Sequence, residues 1–223
     1  MQLLMKSLFN SILSVKESYL FWTINNQRIS KKNYSYVERA FAYELYFQWN
    51  MDDSICGSPM YMIRKKYRIN AEIRKEFMEK INTRSNYGYP DLVLHKGNGS
   101  GKNYIVCEIK RKETVEVDNS SLVKDINKLG FFLRDDIHIK NSNVKWNGYR
   151  YGVFLLTGQY FQDGIIEIEE KDVEDYIDVS KVKVKPELQK RIICAIYNGK
   201  RLKYSNLKDL VEANSKTKTN KNK

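Results

Sequence analysis

The sequence predicts an α/β protein, a mixed β-sheet flanked by helices, and three observations carry that expectation. Tyr89-Pro90-Asp91-Leu92-Val93-Leu94 and Ile105-Val106-Cys107-Glu108-Ile109-Lys110 are short apolar runs of strand length. Tyr151-Gly152-Val153-Phe154-Leu155-Leu156 is apolar almost throughout, as suits a strand covered on both faces. Between them, Leu122, Ile126, Leu129 and Leu133 recur at helical spacing. The resulting order is helix, three strands, helix, strand.

Each element has a local reason. Leu4, Leu8 and Ile12, with Phe9, Leu13 and Val15 nearby, predict an opening amphipathic helix within 1–24. Polar residues from Asn25 to Asn33 make a loop. Ser35 with Glu38 three places on has the form of a capping box, opening a helix to about Trp49. Val37, Phe41, Leu45 and Gln48 form its stripe, with Glu44 inside it. Met51 to Pro59 is rich in turn residues. Ile69-Asn70-Ala71-Glu72-Ile73-Arg74 alternates, predicting a strand with one solvated face. A loop from Asn82 to Tyr89 leads to the strand 90–95, and Gly97-Asn98-Gly99-Ser100-Gly101 turns into the strand 104–110. Ser120 or Ser121 starts the next helix, through about Leu133. Past Gly164 an acidic stretch precedes a helix expected from Pro186 to about Tyr197, so that 165–214 is expected to be a helical extension beyond a core ending near residue 160. Ser215 to Lys223 holds four lysines and no acid, and is expected to be a disordered basic tail.

Length and composition bound the function. A chain of 223 residues, 42% hydrophobic and 30% charged, fits one globular domain over 1–214 rather than a disordered chain. Its 39 Lys and Arg against 27 Asp and Glu leave +12, which favours a polyanionic partner; the ordinary alternative is charge kept for solubility. Cys56, Cys107 and Cys194 lack zinc-ligand spacing and suit reduced thiols in a cytoplasmic protein. No signal peptide is expected at the start, and no run approaches the roughly 18–20 apolar residues of a membrane span.

Asp91 and Glu108, seventeen positions apart, stand on successive apolar strands, with Lys110 two residues beyond Glu108. Side chains alternate along a strand, so Glu108 and Lys110 share a face, and pairing of the two strands lets Asp91 converge on them. Two carboxylates and an ammonium at one spot suit a hard divalent cation and a water aimed at phosphorus. The alternative, a cross-strand ion pair on a solvated face, fits poorly with strands otherwise apolar, where charge is costly to bury.

This Pro-Asp followed by Glu-x-Lys, over about residues 35–160, resembles the PD-(D/E)xK nuclease superfamily. The order of elements matches that family's core as well. The resemblance implies a restriction-endonuclease-like fold and metal-dependent hydrolysis of phosphodiester bonds, most often in DNA. It implies that Asp91, Glu108 and the backbone carbonyl of Ile109 hold Mg²⁺ or Mn²⁺, while Lys110 orients or deprotonates the attacking water and stabilises the transition state. A carboxylate from the preceding helix commonly completes such a site. Glu38, in Val37-Glu38-Arg39-Ala40, and Glu44 compete for that role, with helix capping and a rim position as their ordinary readings. The implied partner is nucleic acid, with no membrane and with room for a homodimer. The alternative function is a nucleic-acid-binding protein that keeps the fold without cutting; a partner-binding subunit assembling through its charged tail is a third.

Other features carry less. Asp125-Ile126-Asn127-Lys128-Leu129 resembles a segment that follows the Glu-x-Lys strand in relatives of this kind, although i,i+3 pairing on a solvated face is the ordinary reading of Asp125. Lys128 and Arg111 are candidates for phosphate contact. Gly97 to Lys102 is not a phosphate-binding loop: Lys96 stands where the first glycine belongs, Asn103 replaces the Ser or Thr, and a strand follows. His95 has no partner at catalytic spacing. Basic and aromatic residues interleave over 60–68 and 82–89, suiting either nucleic acid or a lysine-guarded sheet edge.

Overall fold

The computed structural model describes residues 2–16, 19, 23–24, 27–28, 34–52, 67–71, 89–96, 103–111, 119–135, 147–158, 160–162, 165–167 and 176–221. The glycine-rich turn 97–102, most of the basic-aromatic stretches 60–68 and 82–89, Cys56 and the acidic stretch 168–175 lie outside these residues.

Two helices open the chain, α1 (Gln2–Ser14) and α2 (Tyr34–Met51). Strands β1 (Tyr67–Ala71), β2 (Leu92–Lys96) and β3 (Asn103–Arg111) follow, then helix α3 (Asn119–Phe132) and strand β4 (Tyr151–Thr157). The short helix α4 (Pro186–Gln189), strands β5 (Ile192–Tyr197) and β6 (Leu202–Asn206), and helix α5 (Leu207–Lys221) complete the main elements, while Thr23–Ile24 with Gln27–Arg28, in part of the expected loop Asn25 to Asn33, and Tyr160–Gln162 with Ile165–Glu167 form two separate short antiparallel pairs. Among the described residues these six strands form one mixed sheet in the order β6-β5-β4-β3-β2-β1. The pairs β3/β4 and β4/β5 are parallel, and the other neighbours antiparallel. The expected α/β class, a mixed sheet flanked by helices, is what forms.

The sheet is covered on both faces. Alternation along β3 sends Ile105, Cys107 and Ile109 to one side, where they pack with Leu8 and Ile12 of α1 and Phe41, Leu45 and Trp49 of α2. Val106 faces the other side, against Leu122, Ile126 and Leu129 of α3 and Leu207 and Leu210 of α5. In β4, Val153 and Leu155 join the first layer and Phe154 and Leu156 the second. Such double burial is why β4 reads as a continuous apolar run. Ser7 Oγ donates to Asp52 Oδ2 at 2.6 Å, tying α1 to the end of α2.

Three expectations need correction. The helix expected from Pro186 to about Tyr197 stops at Gln189, and Ile192–Tyr197 is strand β5. Ile-Ile-Cys-Ala-Ile-Tyr is buried between both helical layers, and a short, continuously apolar run does not reveal its period. The sheet thus extends beyond residue 160, because β5 and β6 continue it past β4. The expected disordered tail is helical through Lys221 as the end of α5, which Leu207 and Leu210 anchor to the core. Among the described residues no helix is long and apolar enough to cross a membrane. Cys107 and Cys194 are free and buried.

Candidate active site

The site forms where β2 begins and β3 ends, beneath α3. The β2/β3 register runs Val93 to Val106 and Leu92 to Cys107. One step further sets Asp91 opposite Glu108, and Asp91 donates its backbone N–H to the Cys107 carbonyl at 3.1 Å. The Asp91 side chain turns back onto β3, where its Oδ2 accepts the Ile109 N–H at 2.6 Å. That bond fixes one carboxylate oxygen beside Glu108 before any ligand arrives. Asp91 is close enough to disfavour charge on Glu108.

Glu108 is 3% exposed, and its Oε2 accepts from Lys128 Nζ at 2.8 Å. The same ammonium donates to the Tyr89 carbonyl at 2.6 Å, so Lys128 bridges the approach to β2 and the middle of β3. Glu108 Oε1 is buried and has no hydrogen-bond partner among the described residues. Lys110 reaches both helical layers, lying 3.3 Å from Glu38 Oε1 on α2 and 3.4 Å from Asp125 Oδ2 on α3. The carbonyl of Lys110 accepts from Thr157 Oγ1 of β4 at 3.4 Å.

Electrostatics follow from this burial. Desolvation pushes the Glu108 carboxyl well above its ordinary range, Asp91 adds to the shift, and Lys128 only partly offsets it. Burial likewise raises Asp91, against the Ile109 N–H and the two ammoniums. It also raises Glu38, against Lys110. For Lys110, burial alone would lower the ammonium, but Glu38, Asp125 and Asp91 together hold it above its ordinary value.

Of the expected site residues, Asp91, Glu108, Lys110 and Glu38 come together. Glu44 does not join them. Its Oε1 accepts from Gln48 Nε2 at 2.7 Å, one turn along α2, and Tyr19 is its other partner. Six residues along a helix turn the side chain well away from Glu38, so one helix cannot aim both at one point. Asp125 and Lys128 belong to the site although the ordinary reading set Asp125 on a solvated face. Both are buried, and Lys128 points at a carboxylate rather than outward toward phosphate. No local pattern marks both: Asp125 borders the row Leu122, Ile126 and Leu129, but Lys128 stands roughly a third of a turn off it and is buried only by the packing of α3. Arg111 falls on the alternate side of β3 from Lys110 and is buried.

A divalent cation suits this set in charge. Four carboxyl groups, Glu38, Asp91, Glu108 and Asp125, surround the ammoniums of Lys110 and Lys128, and Glu108 Oε1 has no donor among the described residues. In reach it is less complete: among the described residues, no three His, Cys, Asp or Glu side chains stand close enough to share one ion. Comparisons with protein-family models, curated proteins and solved structures return no match.

Proposed function

We propose that this chain is a metal-dependent nuclease of the PD-(D/E)xK type, hydrolysing phosphodiester bonds in DNA. On this reading the mixed sheet and its two helical layers are a restriction-endonuclease-like fold. The observation that carries the reading is the meeting of Asp91, Glu108 and Lys110 at the end of β3, with Glu38 arriving from the preceding helix. Asp91, Glu108 and the Ile109 carbonyl would hold Mg²⁺ or Mn²⁺, with Glu38 as the further acid. When bound, the ion supplies Lewis-acid polarisation of a phosphate oxygen and a lowered pKa for the attacking water.

The chain's own groups supply the rest. Lys110 keeps its proton at neutral pH, because three carboxylates hold it above its ordinary value. It therefore orients the water and offers positive charge to the oxygens that gain charge at phosphorus. Glu38 and Asp125 fix the Lys110 side chain from opposite layers, so that charge is in place before the substrate arrives. The +12 balance supplies attraction for the phosphate backbone.

Incubation of supercoiled, linear and single-stranded DNA with Mg²⁺ or Mn²⁺ tests this. Nicked or linear products from wild type, absent with Asp91→Asn, are expected; no product from any substrate with either ion overturns it. A second reading, a nucleic-acid-binding protein that does not cut, is favoured by one observation. Glu108 Oε2 and Asp91 Oδ2 already have partners within the chain. DNA retained without cleavage and without cation binding would select that reading.

A further inference from the structure

Ahead of helix α4, Lys181-Val182-Lys183-Val184-Lys185 alternates lysine with valine, the period of a strand, yet it belongs to no sheet. The backbone is extended, with φ −74° and ψ 126° at Val182 and φ −57° and ψ 138° at Lys185, where Pro186 disfavours helix. Val184 is buried with Val179 and Leu188 in the layer of α3, and Lys183 and Lys185 stand out in solvent. Lys181 pairs with Asp178 at 3.1 Å, whereas Lys183 and Lys185 have no acid partner among the described residues. Two contacts seat this strap on α3. Asn127 Oδ1 accepts the Lys183 N–H at 2.6 Å, and a Cβ on Gly130 would lie 2.7 Å from Val184 Cγ2. Glycine weakens a helix interior, and here it leaves room for Val184. Gln189 Nε2 donates to the Val184 carbonyl at 3.0 Å and holds the strap further.

Helix geometry relates the strap to the candidate site. Successive residues turn by about 100°, so with Leu122, Ile126 and Leu129 inward, Asp125 and Lys128 fall on one flank of α3 and Asn127 and Gly130 on the other. Lys124 is exposed on the outward ridge between those flanks. We propose that Lys124, Lys183 and Lys185 form a track for the phosphodiester backbone of DNA, carrying the strand from the candidate site over α3 to the strap. The inference rests on the nucleic-acid partner of the function proposed above. Lysines two apart on an extended chain stand about 6.5 Å apart, and phosphates of one strand recur about every 3.4 Å of duplex axis, so the strap suits alternate phosphates. A helix is about 10–12 Å wide, which sets the strap about three phosphates from the site. The strap's valines turn toward the protein and leave no apolar side chain to enter a lipid surface, which favours DNA over an anionic membrane.

Binding isotherms of the full chain with a labelled DNA duplex, from about 50 to 200 mM salt, test the track. Lys183→Gln with Lys185→Gln should make the plot of log affinity against log salt shallower by about two, and weaken binding at the lowest salt about tenfold or more. Lys124→Gln should flatten the plot by about one more. Lys6→Gln with Lys16→Gln removes the same charge from the end and surface of α1, in the opposite helical layer, and should leave the slope nearly unchanged. In a cleavage assay the strap pair should raise KM and spare kcat. An unchanged slope in the strap pair, or equal losses in the strap pair and the α1 pair, overturns the proposal; if wild type then still cuts DNA, the nuclease reading stands. Wild type that binds no DNA at any salt overturns both. Binding to phosphatidylserine vesicles that the strap pair loses, with its DNA binding intact, would assign the strap to a membrane and overturn the track.

Discussion

At the scale of single residues, the candidate site is a set of charges held in a place that disfavours charge. Asp91→Asn keeps an oxygen to accept the Ile109 N–H but removes the negative charge, so the fold should persist. DNA cleavage should fall more than about a hundredfold, the loss that follows removal of even an outer-shell partner of a metal site. Circular dichroism beside a plasmid-nicking assay separates the two effects. Lys110→Ala should also abolish cleavage, yet leave cation binding intact or stronger, because a nearby positive charge is lost. A pH dependence belongs here too. Glu108, Asp91 and Glu38 keep their protons to higher pH folded than unfolded. Their contribution to stability is whole below the ordinary carboxyl range and is lost as pH rises through the raised values. In EDTA the protein should therefore melt higher at about pH 5 than at about pH 8, with Mg²⁺ narrowing the gap. Glu108→Gln should flatten this slope. Melting points that rise with pH regardless of Glu108→Gln would contradict the assignment.

At the scale of elements, α3 carries Asp125 and Lys128, and its seating on the sheet sets where both arrive. Gly152 in β4 is what lets it sit so close: a Cβ there would lie 3.3 Å from Leu129 Cβ of α3 and 3.3 Å from Ile192 Cγ1 of β5. Gly152→Val should force the helix outward and cost roughly 1–3 kcal/mol of stability, the usual penalty of overpacking. Urea denaturation measures that cost. Cleavage by the fraction still folded should drop as well, because a shift of α3 moves Asp125 off Lys110 and Lys128 off Glu108. Normal stability in Gly152→Val would mean that the helix can slide without penalty.

At the scale of the whole molecule, charge and shape act separately. Ser215 to Lys223 adds four lysines at the end of a helix whose anchors, Leu207 and Leu210, lie earlier. Deleting 215–223 should leave the melting point nearly unchanged while weakening DNA binding. If about six phosphates are neutralised, affinity should fall roughly a thousandfold between about 50 and 200 mM salt, and the deletion should flatten that slope. Cleavage at saturating DNA should hardly change, because the site lies at the end of β3. An isotherm insensitive to salt would leave the positive charge to solubility.

The sequence by itself determined most of the middle of the molecule. Apolar runs and one helical row place α2, β2, β3, α3 and β4 within a few residues, because local periodicity specifies them, although α2 already begins at Tyr34, so Ser35 lies inside the helix and is not the cap expected. The Asp91, Glu108 and Lys110 set was legible for the same reason, since strand alternation alone puts Glu108 and Lys110 on one face. Only the tertiary structure decided the rest. Ile192–Tyr197 joins the sheet as β5 because helical layers cover both its faces, and double burial erases the alternation that marks a strand. Glu38 rather than Glu44 meets Lys110 because the rotation of α2 is fixed by Phe41, Leu45 and Trp49 against the sheet. Asp125 and Lys128 become site residues because α3 lies over the end of β3, a placement set by long-range packing that no local pattern encodes.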